Sequence, residues 1–269
     1  MVFKIFSIYK IMIKVKSTNG FINQLRYSLF FNYAIKKNIL KNVLQYWTIT
    51  NENNISFSKF FNDPCCLKLI ENHMMCCDSS KEKYSNETFS FLTNRYMPGQ
   101  NKELILKEAF KDFELKKEYK EKIKNFIKEN EINNAIGVHL RTTCKTALLK
   151  INKKTRFQPK KIEDVLNKLK YNNNKIYLAT DNKETQDKMI NLFGDRILFY
   201  EKIKKGKEKF TEEYKKEKII RNTSDLHTIF DFYVLKECCD FIGSNESTFS
   251  IMINYLRNGS KDKELLGSL

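Results

Sequence analysis

Two apolar segments in the second half of the chain end in polar side chains. GVHLR, at 137–141, ends in His139 and Arg141, and KIYLATD, at 175–181, ends in Asp181. Short apolar runs of this kind predict buried or half-buried strands. A third apolar run, in CDFIGSNESTFS, enters a turn rich in hydroxyl groups. Strands that end in charges or hydroxyls are candidate binding sites, so these three ends constrain both the fold and the function.

Helical patterns separate these strands along the chain. Helices are predicted near 160–171, at 183–193 and from Ser224 onward, and a further strand is predicted at 196–200. Strands that alternate with helices predict a mostly parallel sheet with right-handed crossovers. The sequence therefore predicts an α/β fold for this half of the chain.

The N-terminal segment shows the same alternation once. IMIKV, at 11–15, predicts a strand, Gly20 lies in a predicted turn, and the apolar spacing from 24 to 37 predicts a helix. Glycine suits such a turn because it adopts positive φ without a steric penalty. Strand, turn and helix together form half of an α/β unit.

The middle of the chain divides it into two predicted domains. Residues 48–100 have no sustained period and are predicted to be irregular with short helices, whereas the charged segment 102–130 has helical apolar spacing. We expect those helices to join two halves. The predicted domains are residues 1–130 and residues 131–269.

Composition indicates a globular protein with a strong positive charge. The chain has 269 residues, is 41% hydrophobic and carries a formal net charge of +17, which suits an anionic partner such as a phosphate, a nucleotide or a nucleic acid. An alternative is that the excess of Lys, Asn and Ile reflects coding bias. The sequence shows no zinc finger, helix-turn-helix or aromatic-basic RNA signature, so a nucleic-acid partner is not favoured.

The cysteines favour a reducing compartment. Seven cysteines include three adjacent pairs, and adjacent cysteines rarely bond to one another. The cluster Cys65, Cys66, Cys76 and Cys77 lacks the usual zinc spacing, so buried or oxidised structural cysteines are favoured over a metal site. The odd count points weakly to the cytoplasm, while N-x-S/T triplets, among them those that begin at Asn86, Asn222, Asn245 and Asn258, leave the secretory lumen open.

A membrane-spanning segment is not expected. No stretch approaches the roughly 20 apolar residues that a membrane helix needs. Lys4, Lys10 and Lys14 interrupt the apolar opening segment, which is better interpreted as a first strand than as a signal peptide, although a short signal-anchor is the alternative.

The strand ends predict a site for a nucleotide diphosphate. In open α/β sheets, ligands lie beyond the carboxyl ends of the strands. A guanidinium can clamp phosphate oxygens, a carboxylate can accept hydrogen bonds from a base or ribose, and a hydroxyl-bearing helix start can hold an anion. Each residue also has a structural alternative: Asp181, Ser247 and Thr248 as helix caps, Arg141 in an ion pair, and His139 in a structural hydrogen bond.

Four motifs in this order resemble the fucosyltransferase superfamily, which includes the α1,2-, α1,6-, protein O- and nodulation fucosyltransferases. The motifs are NGFINQLRYS (19–28), GVHLR (137–141), LATD (178–181) and the segment 225–250 with its Ser-Thr-Phe-Ser turn. The resemblance implies a GT-B fold, in which two Rossmann-like domains face each other across a cleft. It implies an acceptor-side N-terminal domain and a C-terminal domain that holds GDP-fucose.

The resemblance also implies roles for individual residues. Arg141 would bind the β-phosphate as the catalytic cation, and His139 and Asp181 would contact the guanosine. Gly20 and Asn23 would close over the donor sugar. The residues implied to line the diphosphate pocket are Ser247, Thr248 and Ser250.

The implied reaction transfers fucose from GDP-fucose to a hydroxyl of a glycan or protein, with inversion and without a metal or other cofactor. Many members carry a second arginine and an aspartate where this chain has Thr142, Thr143 and Cys144. The base that deprotonates the acceptor is unassigned, because Asp231 and Glu246 are both interpreted as structural. A non-catalytic sugar-nucleotide binder is therefore an open alternative.

Overall fold

The computed structural model describes two compact units, Met1–Lys117 and Glu118–Leu269. The units divide between Lys117 and Glu118, at the first residue of the helix Lys117–Glu129, and the predicted domain border after residue 130 stays a prediction. Phe126 of that helix packs edge-on against Tyr177 and Phe230 of the second unit, with ring centroids 6.0 and 5.1 Å apart. The described residues are 13–17, 21–40, 43–49, 56–64, 66–73, 98–99, 101–140, 159–203, 223–244, 247–257 and 265–266.

The first unit contains a three-stranded parallel sheet in the order β1-β2-β3. The predicted succession of strand, turn and helix is present as β1 and α1, but β2 and β3 were not predicted from the sequence. Segment 48–100 is thus not wholly irregular, because β3 lies within it. The elements of this unit are β1 (Ile13–Ser17), α1 (Phe21–Lys36), β2 (Val43–Ile49), α2 (Phe57–Phe60), β3 (Lys68–His73) and α3 (Lys102–Phe110).

Helix α1 is held in this unit by buried polar groups as well as by apolar packing. Leu25, Leu29 and Phe30 are fully buried on the helix. The Asn32 side-chain amide donates to Asp112 Oδ2 at 3.2 Å, and its carbonyl oxygen accepts from the Cys66 backbone N–H at 3.2 Å. A buried amide whose donor and acceptor groups are both used in this way is stable inside a protein.

The second unit contains a five-stranded sheet in which every described strand pair is parallel, in the order β6-β5-β4-β7-β8. The parallel sheet predicted for this half is confirmed. Predicted helix 183–193 matches the observed bounds. The elements are α4 (Lys117–Glu129), β4 (Ile136–Leu140), α5 (Pro159–Lys170), β5 (Ile176–Thr180), α6 (Lys183–Phe193), β6 (Ile197–Leu198), α7 (Asp225–Glu237), β7 (Asp240–Ser244), α8 (Thr248–Leu256) and β8 (Leu265–Leu266).

The core of the second unit lies on both faces of this sheet. All five residues of β4 and all five of β5 are buried, as expected for central strands of a parallel sheet that is covered on both sides. Val138 and Leu178 of these strands pack with Leu169 of α5 and Met189 of α6 in one apolar cluster. None of the helices in the described part of the chain is long and apolar enough to cross a membrane.

Gly137 allows α7 to approach β4 closely. A Cβ atom at this position would lie 2.8 Å from Leu235 Cδ2 and 3.1 Å from Cys238 Sγ. Both distances are shorter than ordinary van der Waals contacts, so a side chain at 137 would have to displace its neighbours. The strand needs glycine at this position because of space.

We expect Gly137→Ala to lower the free energy of unfolding by about 1 to 3 kcal/mol, because the added methyl overpacks the contact between β4 and α7. Urea unfolding followed by circular dichroism measures the change. Asn167→Ala, on the exposed side of α5, is the control and should change stability by less than about 0.5 kcal/mol. Equal stability of the Gly137 variant and the wild type would contradict close packing of β4 against α7.

Candidate functional site

The carboxyl ends of β5, β4 and β7 lie side by side at one edge of the second sheet. Leu140, the last residue of β4, pairs with Thr180, the last residue of β5, and Val138 pairs with Ile242 of β7. Because the three strands are parallel, the segments that follow them emerge at the same edge. Asp181 directly follows β5, so the structure brings it to the edge where β4 ends.

His139 and Ser250 are joined by a hydrogen bond across this edge. His139 Nδ1 lies 2.8 Å from Ser250 Oγ, and the two residues are 8% and 0% exposed. Ser250 belongs to the first turn of α8, the helix that follows β7. The bond therefore connects the end of β4 to the start of α8, two places that separate sequence motifs predict to form the site.

Aromatic rings hold the His139 imidazole from the side of α8. The Phe249 ring lies 4.7 Å from it between centroids, tilted by 37°. Phe249 in turn packs edge-on against the buried Phe232 of α7, at 5.6 Å. The bond from Ser250 to Nδ1 and the Phe249 ring together restrict the orientation of the imidazole.

The start of α8 has the properties of an anion site. Ser247 is its N-cap and is 3% exposed, yet its hydroxyl makes no capping hydrogen bond. Within the described part of the chain, Ser247 Oγ is buried without a hydrogen-bond partner. The first N–H groups of a helix also have no partner within the helix. An anion placed there would accept from both kinds of donor.

Asp181, which follows β5, does not cap the next helix. Asn182 is the N-cap of α6, and its side-chain oxygen accepts from the Thr185 N–H at 2.9 Å. The structural alternative for Asp181, a helix cap, is thereby removed. Asn182 was not predicted as the cap, although an asparagine directly before a predicted helix is a recognisable cap signal.

Several predicted site residues lie outside the described residues. Arg141 and Gly20 are among them, so their predicted roles stay predictions. Asn23 lies on α1, but its side chain is outside the described part, and its predicted role also stays a prediction. Thr248 is the first residue of α8 and is half-buried. Further residues outside the described part are Thr142, Thr143, Cys144 and Glu246.

Asp231, one of the carboxylates considered as a base, is buried in the core. Its Oδ1 accepts a hydrogen bond of 2.7 Å from the Tyr177 hydroxyl, and its Oδ2 lies 3.7 Å from His227 Nε2. Burial raises the pKa of Asp231 well above its usual value and lowers the pKa of His227. These contacts support the structural interpretation of Asp231. The signal in the sequence was a lone carboxylate on the apolar face of a helix.

The described residues contain no group of three or more His, Cys, Asp or Glu side chains that could hold a metal ion. Cys66 is an exposed free thiol, while Cys65, Cys76 and Cys77 lie outside the described residues. Cys238 is a buried free thiol whose Sγ donates to the Val234 carbonyl at 3.6 Å, and burial raises its pKa. Cys66, which the sequence favoured as a buried or oxidised structural cysteine, is thus neither buried nor in a disulfide.

This chain is similar in fold to proteins of known structure. No family model matches the sequence, and no curated protein matches it. Fucosyltransferase NodZ from Bradyrhizobium matches with a TM-score of 0.54 at 17% identity, over 91% of this chain and 90% of that chain. NodZ alpha-1,6-fucosyltransferase co-crystallised with GDP gives the same score and identity. The apo form of POFUT1 matches with a TM-score of 0.53 at 11% identity, over 93% of this chain and 96% of that chain.

These matches define the class of fold. The structural neighbours are GT-B fucosyltransferases, and this chain has the same mixed α/β fold over nine-tenths of its length. The GT-B fold implied by the motifs is therefore confirmed. The resemblance to fucosyltransferases in four sequence motifs is thus accompanied by a likeness in fold over about nine-tenths of the chain.

We expect Asp231→Asn to remove a pH dependence of stability. A carboxyl group whose pKa is raised by folding stabilises the fold at low pH, and this contribution is lost as the pH rises from its unfolded value toward its folded one. The asparagine does not titrate, and its carbonyl can still accept from Tyr177. Urea unfolding between about pH 4 and about pH 8 should show the wild type losing stability relative to the variant as the pH rises.

Asp231→Ala is the matched comparison. It leaves the buried Tyr177 hydroxyl without an acceptor and should lower stability by about 1 to 3 kcal/mol. A wild type that gains stability over Asp231→Asn with rising pH would show that folding favours the carboxylate as an anion, which contradicts a pKa raised by burial.

Proposed function

We propose that this chain binds GDP-fucose at the carboxyl edge of its second sheet and transfers fucose to a hydroxyl group of a glycan or protein. The observation that carries the proposal is the hydrogen bond between His139 and Ser250, beside the buried hydroxyl of Ser247. This bond supports the proposal because it joins a residue of β4 to a residue of α8, the helix that follows β7. In this proposal, Asp181 and His139 contact the guanosine, and Ser247 and Thr248 contact the diphosphate.

The electrostatics of the edge favour a diphosphate. The positive end of the α8 dipole and the N–H groups of its first turn attract a negative group. Arg141 follows directly after β4, whose last residue pairs with the last residue of β5. An arginine leaving a strand at this edge is suited to bidentate contact with phosphate oxygens.

Structural neighbours supply further support. NodZ alpha-1,6-fucosyltransferase has been soaked with GDP-fucose, and that structure matches with a TM-score of 0.51 at 15% identity. POFUT1 in complex with GDP matches with a TM-score of 0.50 at 12% identity. Those proteins bind these nucleotides on the fold that this chain shares.

The proposed reaction breaks the bond between the anomeric carbon of fucose and the β-phosphate oxygen, and the electron pair leaves with GDP. The acceptor hydroxyl attacks from the opposite face, so the configuration inverts, and its proton passes to a base to which we assign no residue. Negative charge grows on the β-phosphate as the bond breaks. A cation at Arg141 would therefore stabilise the transition state more than the ground state, and the proposal needs no metal ion.

A non-catalytic sugar-nucleotide binder is the second candidate. It is favoured by the burial of Asp231, which accepts from Tyr177 and is therefore a poor candidate for the acceptor's base. The residues after Arg141, which differ from the second arginine and aspartate of many superfamily members, also favour this candidate. Donor binding without fucose transfer or hydrolysis would support this candidate over the enzyme.

We expect Arg141→Ala to lower the rate of fucose transfer by a factor that corresponds to about 2 to 4 kcal/mol, because the clamp on the leaving phosphate is lost. Arg141→Lys should recover only part of the rate, since an ammonium group cannot make the bidentate contact. Calorimetry with GDP and turnover assays with GDP-fucose and a glycan panel measure both effects.

Lys188→Ala is the control, because it removes a positive charge from the exposed side of α6. It should leave GDP affinity unchanged. Equal GDP affinity in the wild type and Arg141→Ala, or no GDP binding at all, would overturn the assignment. Salt-sensitive binding to duplex nucleic acid with indifference to GDP would instead favour the basic nucleic-acid-binding alternative.

A further inference from the structure

We propose that Ser250 is a positioning residue that acts through His139, and that Gly243 is glycine because the Ser250 hydroxyl occupies the space of its side chain. This inference rests on the proposed function, in which His139 contacts the nucleotide. It changes the role that the sequence motif suggested for Ser250, which was direct contact with the diphosphate. Phe249 completes the arrangement by covering one side of the imidazole.

Its hydrogen bond to His139 sets Ser250 apart from the other hydroxyl groups described in the turn. Ser250 is 0% exposed, and its Oγ lies 2.8 Å from His139 Nδ1. Thr248, two residues earlier, is half-buried, and the Ser247 hydroxyl has no partner among the described residues. The Ser250 hydroxyl is thus engaged by the imidazole, whereas the equally buried Ser247 hydroxyl makes no hydrogen bond.

Gly243 makes room for this hydroxyl. A Cβ atom on Gly243 would lie 2.6 Å from Ser250 Oγ and 2.7 Å from Phe241 Cζ. Gly243 is not among the described glycines with positive φ, so its backbone conformation does not require glycine. The requirement is space: any side chain at 243 would push the hydroxyl away from His139.

The consequence is one fixed orientation of the imidazole. With Nδ1 engaged by Ser250, a nitrogen contact from His139 to a nucleotide is made through Nε2. The hydrogen bond to Nδ1 also decides which nitrogen carries the proton in the neutral ring. The Phe249 ring at 4.7 Å limits rotation of the imidazole out of this position.

Nitrogen-15 NMR of the imidazole rings tests the positioning directly in the ligand-free protein. The chain has 3 histidines, so the spectrum is sparse, and His139→Ala identifies the relevant signals. We expect one neutral tautomer of His139 in the wild type, and a mixture of tautomers in Ser250→Ala and Gly243→Ala. An unchanged tautomer in Ser250→Ala would overturn the proposal. If Gly243→Ala does not fold, Ser250→Ala decides.

Ser28→Ala is the matched control, because Ser28 is also a helical serine with 0% exposure whose hydroxyl donates to a backbone carbonyl in the first unit. It removes a buried hydroxyl without touching His139. Its His139 signals should equal those of the wild type. A change in those signals equal to that in Ser250→Ala would show a general loss of structure and overturn the specific role.

Calorimetry with GDP then tests whether Ser250 acts through His139. Ser250→Ala should weaken GDP binding by about three- to tenfold, the range expected for one neutral hydrogen bond. In the His139→Ala background the same substitution should have no further effect, because residues that act as a unit are not additive. Additive losses in the double variant would show that Ser250 contacts the nucleotide itself and would overturn the proposal.

The two measurements separate this inference from the proposed function. A wild type that does not bind GDP overturns the proposed function and the binding part of this inference. The NMR result in the ligand-free protein still confirms or overturns the positioning of the ring by Ser250.

Discussion

Parallel pairing of β4 with both of its neighbours is the constraint on which the second unit depends. A central strand with both faces covered must pair each of its backbone N–H and C=O groups, because water cannot reach them. The registers of β4 with β5 and with β7 meet that demand and fix where the strands end. The candidate site follows from this geometry, since His139 and Asp181 reach one edge as a result of register.

The second requirement of this fold is that two helices approach the strands of the second sheet closely. Gly137 lies under α7, and Gly243 lies under the first turn of α8. Removing the Cβ atom at these points lets each helix pack nearer to the sheet than an alanine would allow. In the first case the space is filled by apolar atoms and a thiol. In the second it is filled by the Ser250 hydroxyl, so packing and the candidate site share one glycine.

Much of the fold could be predicted from local pattern. The strands with polar ends and helix 183–193 have recognisable patterns of apolar residues. These patterns arise because one or both faces of each element are buried. Strand β3 was missed since its sequence, KLIENH, mixes charged and apolar residues without clear alternation. The packing of α4 in the second unit depends on contacts of Phe126 with Tyr177 and Phe230 that no local pattern reveals.

The site was predictable in its residue types but not in their pairings. His139 and Ser250 are 111 residues apart in sequence, and only the folded sheet shows that they bond to each other. In the same way, the sequence places Asp231 on a helix face, but its partner Tyr177 lies on a strand 54 residues away. The likeness to NodZ and POFUT1 shows the fold, whereas the proposed roles of the side chains rest on these contacts.

A crystal structure of the protein with GDP tests the central claim most directly. We predict the diphosphate at the start of α8, with phosphate oxygens about 3 Å from Ser247 Oγ and from the first backbone N–H groups of that helix. We also predict that the Ser250 hydroxyl keeps its bond to His139. A nucleotide bound away from this edge, with the Ser247 hydroxyl untouched, would contradict the proposed site.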